Sequence, residues 1–321
     1  MRKWQLRQMQ SLPLPAKIVK SKQRIREWYE YWDGNVGVSF SGGKDSTVLL
    51  HLVRSIYPEV PALFVDTGLE YPEIRQFVKN TENVITVKPT MKFREVIREK
   101  GYPVATKKVA RMVSILQNPT PKNRQSRRLY LTGIKKNGER SHYFKLPRKW
   151  HKLIDAPFRV SDACCYIMKI EPFRRHEKAT GQKQFAGTMA TDSERREQSF
   201  LQRGGCNSFK HGVSLPLSFW DTQDILRYIT EHNIPYCPVY GDIVEQSGKL
   251  KTTAEHNTGC MFCMFGVHLE SGENRFQRMA RTHPKLYQYC IEELEIGEVL
   301  DYIGVNYRPV GKQLKLFEAI K

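Results

Sequence analysis

Long apolar segments are missing from this 321-residue sequence. No run approaches the roughly 20 apolar residues that a membrane-spanning helix needs. The first residues, Met1 to Leu6, also lack the apolar stretch of a secretory signal. Neither His-x-x-His nor His-Glu-x-x-His occurs among the nine histidines. These absences predict a cytoplasmic protein that does not associate with membranes and has no histidine-based metal site.

Cysteine is scarce, and its number is odd. Seven cysteines in a reducing compartment do not make a disulfide framework, so we interpret them as buried thiols or metal ligands. Four of them form two close pairs, Cys164-Cys165 and Cys260-x-x-Cys263, with 94 residues between the pairs. Four thiolates in two tight pairs can converge on one iron–sulfur cluster. A structural zinc ion and a redox dithiol are the alternatives.

Acidic residues are few relative to basic ones, and one stretch nearly lacks them. The formal charge is +19, and residues 105–152 carry fourteen Lys and Arg against one acid, Glu139, which is a net +13. Aromatic residues interleave with these cations, so this basic block (residues 105–152) predicts a nucleic-acid surface. A solvated insertion or a site for a small anionic substrate are the alternatives. The candidate nucleic-acid contacts are Lys122, Arg124, Arg127, Arg128, Lys135 and Lys136.

A glycine-rich turn separates an apolar run at residues 36–40 from a helical pattern at residues 47–53. Such a turn exposes backbone N–H groups at a helix start, where the helix dipole favours an anion. Its spacing differs from the Walker pattern. The sequence therefore predicts a phosphate-binding segment, which we call the glycine-rich loop (residues 39–46). Its candidate ligand-binding residues are Ser39, Ser41, Gly42, Gly43, Lys44, Asp45 and Ser46.

Strand and helix patterns alternate from residue 35 onward. Apolar runs at 62–65, 83–87 and 184–188 predict further strands, and residues 71–80 predict a helix. This alternation predicts an α/β fold with a doubly wound, mostly parallel sheet that binds ligands at the carboxyl ends of its strands. The predicted parts are a helical lead-in (1–34), a nucleotide-binding domain (35–235) with a basic insertion at about 105–155, and a C-terminal helical region with the Cys-x-x-Cys pair (236–321).

Asp66, Thr67 and Gly68 follow the second predicted strand. A carboxylate at a strand end can hold Mg²⁺ or a ribose hydroxyl, although Asp-Thr-Gly alone is more often a turn. With the glycine-rich loop, this segment resembles the PP-loop ATP pyrophosphatases and, among them, the PAPS/APS (sulfonucleotide) reductase branch. Residues 164–175, 187–196 and 216–226 are similar to further segments of that family. The resemblance covers roughly 35–100 and 160–265, leaves the basic block outside, and implies an adenine nucleotide alpha hydrolase-like fold.

The resemblance also implies roles for individual residues. Lys44, Asp45 and Asp66 would be catalytic, with Lys44 holding the departing pyrophosphate and either carboxylate binding Mg²⁺. Gly187 and Arg195 belong to a segment in which Met189 stands where an arginine is common and Asp192 where a glutamate is common. The implied nucleotide contacts are the glycine-rich loop, Asp66, Thr67, Gly68, Gly187 and Arg195. In the APS-reductase branch, four cysteines in the pattern of Cys164, Cys165, Cys260 and Cys263 hold a [4Fe–4S] cluster.

One family feature is not found here. Sulfonucleotide reductases carry a nucleophilic cysteine in a C-terminal Glu-Cys-Gly-x-His segment, and no cysteine follows Cys290 in this sequence. We therefore expect an ATP pyrophosphatase that uses ATP and Mg²⁺ for sulfur insertion into a nucleic acid, by DNA phosphorothioation or tRNA thiolation. The alternative is a sulfonucleotide reductase that releases sulfite, and a third hypothesis is a nucleic-acid-binding module with a degenerate nucleotide site. The expected partners are DNA or tRNA, a sulfur donor such as a cysteine desulfurase, and a second copy of the chain in a homodimer.

Overall fold

The computed structural model describes residues 1–309. These residues form two compact units. Unit 1 contains residues 1–66, 70–88 and 172–258, and unit 2 contains residues 67–69, 89–171 and 259 onward. The chain passes between the units several times, so their boundaries differ from those of the three consecutive parts in the sequence-based division. No helix among the described residues is long and apolar enough to cross a membrane.

Thirteen α-helices and eight strands form within the described residues. The helices are α1 (Lys3–Gln10), α2 (Leu14–Tyr31), α3 (Lys44–Arg54), α4 (Pro72–Lys79), α5 (Phe93–Lys100), α6 (Lys107–Gln117), α7 (Arg124–Thr132), α8 (Glu171–Thr180), α9 (Glu194–Arg203), α10 (Thr222–Glu231), α11 (Arg275–Thr282), α12 (Pro284–Gln288) and α13 (Ile296–Ile303). The strands are β1 (Val36–Ser39), β2 (Ala62–Val65), β3 (Val84–Val87), β4 (Lys183–Ala186), β5 (Asn207–Ser208), β6 (Val213–Ser214), β7 (Ile243–Gln246) and β8 (Lys249–Thr252).

The core of unit 1 is a six-stranded sheet in the order β3-β2-β1-β4-β6-β5. Its neighbouring strands are parallel, except that β5 and β6 are antiparallel. All four residues of β2 are buried, as expected for a central strand of a parallel sheet that is covered on both faces. The predicted α/β class with a doubly wound, mostly parallel sheet is confirmed. The four strands predicted from apolar runs form at 36–39, 62–65, 84–87 and 183–186.

Helix α2 is bonded to the first turn of α10 and to the segment that precedes it. The Lys17 ammonium donates to Asp224 Oδ2 at 2.6 Å, and both residues are buried. The Ser21 hydroxyl donates to the Pro216 carbonyl at 2.9 Å and accepts from Trp220 Nε1 at 2.9 Å. The helical lead-in is therefore joined by buried polar bonds to residues that lie some 200 positions further along the chain.

Unit 2 contains the whole basic block. Helix α6 starts at Thr106, whose hydroxyl accepts a hydrogen bond from the Val109 N–H at 3.2 Å. Several apolar residues of the block are buried, whereas Leu131, Tyr143, Phe144 and most of its cations are exposed. Helix α6 buries one apolar face, so part of the block is packed into unit 2. The buried apolar residues of the block are Ala105, Val109, Ala110, Met112, Val113, Leu116, Leu146 and Trp150.

Candidate active site

A cleft of about 870 Å³ lies in unit 1 at the carboxyl ends of β1 and β4. The chain runs from β1 to β2 and β3 on one side, whereas β4, β6 and β5 lie on the other side. The strand order therefore changes direction between β1 and β4, which is where doubly wound sheets bind their ligands. The cleft is lined by parts of residues 39–46, 186–196, 221–223, 240 and 257–258.

The glycine-rich loop has the conformation that close approach to an anion requires. Gly42 has φ +70°, and a Cβ there would lie 2.9 Å from Val78 Cγ2. The Ser41 hydroxyl accepts from the Gly43 N–H at 3.3 Å and lies 3.1 Å from the Ser46 hydroxyl. Helix α3 begins directly after Gly43, so its first N–H groups lie at the cleft. The loop therefore places backbone N–H groups and hydroxyls at the cleft, and phosphate binding there stays a prediction.

Lys44 is held by residues that are distant in sequence. Its ammonium donates to the His256 carbonyl at 2.6 Å and to Asn257 Oδ1 at 3.2 Å. The Tyr240 hydroxyl accepts from the Lys44 N–H at 3.3 Å and lies 2.7 Å from the Thr258 hydroxyl. Burial raises the pKa of Tyr240 to about 12, so this hydroxyl stays neutral. The sequence patterns did not indicate Tyr240, Asn257 or Thr258.

Asp45 is the carboxylate of the loop that lines the cleft. Its Oδ1 atom is buried and has no hydrogen-bond partner within the described chain. Burial raises the pKa of Asp45, Asp192 adds to this effect, and Lys44 and Arg196 oppose it. An orphaned buried carboxylate oxygen at a cleft can be satisfied by a cation or by a ligand hydroxyl.

The opposite wall of the cleft is built around Gly187. A Cβ at Gly187 would lie 3.2 Å from the Asp45 carbonyl oxygen, which is a tight contact, so glycine favours the close approach of the two backbones here. Asp192 Oδ2 accepts from the Met189 N–H at 3.1 Å and forms an ion pair with Arg196. Arg195 and Arg196 are both exposed, but only Arg196 is among the residues that line the cleft.

The start of α10 forms a third wall. Asp221 and Asp224 cap the helix reciprocally, since each side chain accepts a hydrogen bond from the other's N–H, at 2.9 and 3.0 Å. Gln223 exchanges two 2.9 Å hydrogen bonds with the backbone of Leu250 on β8. Helix α10 therefore directs its N-terminal end into the cleft from a fixed position.

The Asp66 segment lies apart from this lining. Asp66 follows β2 at the same edge of the sheet, and its carboxylate forms a 3.1 Å ion pair with Arg75. It does not line the cleft. Thr67 and Gly68 belong to unit 2, where the Thr67 hydroxyl accepts from the Leu69 N–H at 3.1 Å and Gly68 has φ +74°. The structure thus brings the glycine-rich loop and Gly187 together at the cleft. Asp66 and Arg195 are not among the residues that line it.

The four predicted ligand cysteines line one small pocket in unit 2. Apolar side chains complete its wall, among them Phe93, Met168, Phe262 and Phe265. Burial and the three neighbouring thiols raise the pKa of Cys164. Within residues 1–309, no three His, Cys, Asp or Glu side chains stand close enough to hold a single metal ion. The lining cysteines are Cys164, Cys165, Cys260 and Cys263.

The candidate nucleic-acid contacts also lie in unit 2. Four are exposed and two are half-buried. Lys135 forms a 3.0 Å ion pair with Glu139. The exposed members are Lys122, Arg124, Arg128 and Lys136, and the half-buried ones are Arg127 and Lys135.

The fold is an α/β domain with a cleft at the switch point of its sheet. The family model of the phosphoadenosine phosphosulfate reductase domain matches residues 35–111 and 127–255. This chain belongs to that family. The match enters the basic block from both sides, so that only residues 112–126 of the block are unmatched. The sequence patterns had placed the whole block outside the resemblance.

Two relatives and one solved structure are similar to this chain. The phosphoadenosine 5'-phosphosulfate reductase of Serratia proteamaculans (strain 568) is 26% identical over 251 residues, which cover 75% of this chain and 80% of that protein. The reductase of the same name from Photorhabdus laumondii subsp. laumondii is 24% identical over 266 residues, with coverages of 81% and 88%. The structure of a phosphoadenylyl-sulfate reductase from Candida auris with phosphate aligns over 78% of this chain and 98% of its own, at 16% identity and a TM-score of 0.38.

Proposed function

We propose that the cleft binds an adenylyl sulfate, either with or without a 3'-phosphate, and that the protein reduces its sulfate group to sulfite. The observation that carries this proposal is the switch-point cleft itself, with its glycine-rich loop, Lys44 and Arg196, in a chain of the phosphoadenosine phosphosulfate reductase family. The relatives named above carry that activity in their names.

The residues of the cleft suit a nucleotide with two linked anionic groups. The N–H groups at the start of α3 and the hydroxyls of Ser41 and Ser46 would hold one anionic group, with Lys44 as its counter-charge. Arg196 lines the other wall, where its planar guanidinium can bind a second phosphate or the sulfate. Each group is positioned before the ligand arrives, which lowers the ordering cost of binding.

The reaction needs two thiols. One thiolate attacks the sulfur atom, the bond from sulfur to the phosphate oxygen breaks, and the nucleotide leaves as a monophosphate. A second thiolate then attacks the first thiol's sulfur, forming a disulfide and releasing sulfite, so that two thiols lose two electrons and two protons. No cysteine is among the described residues that line the cleft. The thiols therefore come from another part of the protein or from a dithiol reductant such as thioredoxin.

The test is sulfite release from adenylyl sulfate and from its 3'-phosphorylated form, with reduced thioredoxin as the dithiol. We expect sulfite and the nucleoside monophosphate in equal amounts, and a preference for one nucleotide. Failure of both nucleotides to bind or to yield sulfite, with any dithiol, would contradict the proposal.

A second candidate function is cleavage of ATP between its α- and β-phosphates to activate an acceptor for sulfur insertion. Two observations favour it: the cleft lining contains no cysteine, and the Asp45 oxygen is available for Mg²⁺. In this case Lys44 would hold the departing pyrophosphate. Pyrophosphate release from ATP and Mg²⁺ in the presence of DNA or tRNA, without sulfite release from either adenylyl sulfate, would select this function.

We also propose that Cys164, Cys165, Cys260 and Cys263 hold a [4Fe–4S] cluster. The residues fit such a group because four thiols face one apolar pocket. Adjacent cysteines are an unusual pattern for a zinc site, so we propose a cluster rather than a single zinc ion. When bound, the cluster would supply electron-transfer capacity in unit 2.

A further inference from the structure

The cations of the basic block are mostly exposed and lack carboxylate partners. Twelve of the fourteen are exposed, and Arg127 and Lys135 are half-buried. In the part of the chain that the structure describes, two of the fourteen form ion pairs: Arg111 with Asp162 at 2.7 Å and Lys135 with Glu139 at 3.0 Å. The positive charge of the block is therefore not neutralised by the protein itself, which is typical of a surface that binds a polyanion.

Regular backbone structure carries several of these cations. Arg124 and Arg128 are exposed and stand one turn apart on the same face of α7. A bridge between Ile134 and Arg140 closes the turn that carries Lys136. No residue of α7 is buried, so the side chains of this helix are accessible to a ligand. Several exposed cations suit the repeating phosphates of a nucleic-acid strand better than they suit one small metabolite.

Exposed aromatic rings accompany the cations. The Tyr143 side chain is 66% exposed, and its ring centroid lies 5.0 Å from that of Phe144 at an interplanar angle of 88°. The Lys108 ammonium lies 3.2 Å from the Tyr143 ring centroid. The ammonium lies over one face of the exposed ring, so an unpaired base would stack on the other face while the cation contacts the adjacent phosphate. Bases within a duplex are already stacked, so such a ring favours a single strand.

We propose that the basic block binds single-stranded nucleic acid, with a base stacked on Tyr143 and phosphates paired with Arg124, Arg128 and the neighbouring cations. The block lies in unit 2, and the cleft-lining residues lie in unit 1. The inference therefore does not depend on which nucleotide the cleft takes.

The experiment measures fluorescence anisotropy of a labelled single-stranded oligonucleotide as the full chain is added, over a series of salt concentrations. Arg124→Gln/Arg128→Gln should weaken binding by about 10-fold or more at low salt and lower the slope of log affinity against log salt by about 1.4, or about 0.7 per lost phosphate contact. The matched control is Lys249→Gln/Lys251→Gln, which removes the same charge from exposed positions on β8 and should change the affinity less than twofold.

A second variant pair tests the stacking contact. Tyr143→Leu should weaken single-strand binding by about 5-fold or more without changing the salt slope, whereas Tyr143→Phe should bind like the wild type. Duplex DNA of the same length and vesicles of anionic lipid serve as competitors.

Equal affinity for the duplex, with no effect of Tyr143→Leu, would overturn the single-strand assignment. Competition by the vesicles at least as strong as by the oligonucleotide would indicate a membrane surface instead, and equal losses in both double variants would show that only net charge matters. Sulfite release without nucleic acid should be the same in all these variants, so this proposal and the proposed function can fail separately.

Discussion

Lys44 shows how single residues prepare the cleft for an anion. Its side chain is only 4% exposed, and its hydrogen-bond partners are the neutral His256 carbonyl and Asn257 amide oxygen. The Tyr240 ring lies beside it, 5.2 Å from the ammonium to the ring centroid. Neither partner carries a negative charge that would compete with an anionic ligand. Under the proposed function, Lys44 would be the counter-charge for the anionic group that the glycine-rich loop binds.

Replacing Lys44 tests this interpretation. Lys44→Met keeps most of the buried stem and removes the charge, so we expect adenylyl sulfate to bind about 10-fold or more weakly, in line with the loss of a charge-assisted hydrogen bond. Isothermal titration calorimetry measures the affinity, and Lys249→Met is the control at an exposed position. An affinity within twofold of the wild type would place the anion elsewhere.

We expect the Asp45 carboxylate to lower the stability of the unliganded protein while it serves ligand binding. Burial raises the pKa of Asp45, so the charged carboxylate lowers the stability of the folded protein. This loss of stability begins as pH rises through the ordinary pKa range of an aspartate, and it is complete above the raised pKa. Asp45→Asn should therefore stabilise the unliganded protein by about 1 kcal/mol at pH 7, with the gain vanishing in acid below the ordinary range.

Urea unfolding at a series of pH values measures this effect. Asp155→Asn, at an exposed position, is the control and should leave the profile unchanged. A gain that is the same at every pH would show that the Asp45 charge is not its cause. If Asp45 also binds Mg²⁺, the stabilised variant should lose the Mg²⁺ dependence of nucleotide binding.

We expect a side chain at Gly42 to lower stability, and a substitution at a second glycine separates the two causes of that loss. Gly42→Ala introduces a Cβ at positive φ and 2.9 Å from Val78, so we expect a loss of about 2 kcal/mol or more in stability. Gly204 has φ +85° and open space around its Cβ position, so Gly204→Ala should cost only about 1 kcal/mol. Thermal or urea unfolding of both variants separates the clash from the backbone strain, and equal losses would exclude the clash.

At the scale of elements, the sequence predicted the helices and strands that are determined by a local pattern of residues. Four parallel strands were predicted to within about two residues and helix α3 to within about three, because apolar runs and glycine turns are local signals. The β7–β8 hairpin was missed because its strands are short and largely exposed. Helix α10 could be predicted, but its position at the cleft depends on Gln223 and Leu250, which pair across 27 residues.

Helix α2 stabilises α10, because the buried Lys17 ammonium of α2 neutralises the Asp224 carboxylate in the cap of α10. Lys17 is 3% exposed and Asp224 is 8% exposed. Lys17→Met would leave Asp224 buried without a counter-charge, so we expect a loss of about 3–5 kcal/mol in the free energy of unfolding. Adding Asp224→Asn removes the orphaned charge and should recover a large part of that loss.

Urea unfolding measures both variants, and Arg26→Met is the control because Arg26 is exposed on the same helix. A loss below about 1 kcal/mol in Lys17→Met would show that Asp224 is solvated rather than dependent on α2.

At the scale of the whole molecule, contributions from distant parts of the chain limit what the sequence reveals. The glycine-rich loop and Gly187 were predicted because each lies in a local motif. Lys44 is contacted by Tyr240 and Asn257, and Tyr240 is contacted by Thr258. These three residues lie about 200 positions from Lys44 in the sequence, and no local pattern indicates the contacts. Likewise, the interleaving of the two units could not be predicted, because nothing in the composition marks where the chain crosses between them.

The two cysteine pairs are another long-range feature, and their convergence gives the last prediction. Anaerobic purification after expression with iron should yield about four irons and four sulfides per chain, since four thiols face one pocket in unit 2. Cys263→Ser should lose most of the iron and lower the melting temperature, because cluster binding contributes folding free energy. Cys237→Ser, at a buried thiol outside this pocket, should retain the full iron content. If the wild type contains one zinc ion and no sulfide, the site binds zinc instead of a cluster. If both serine variants have the same metal content, the four cysteines do not act as ligands.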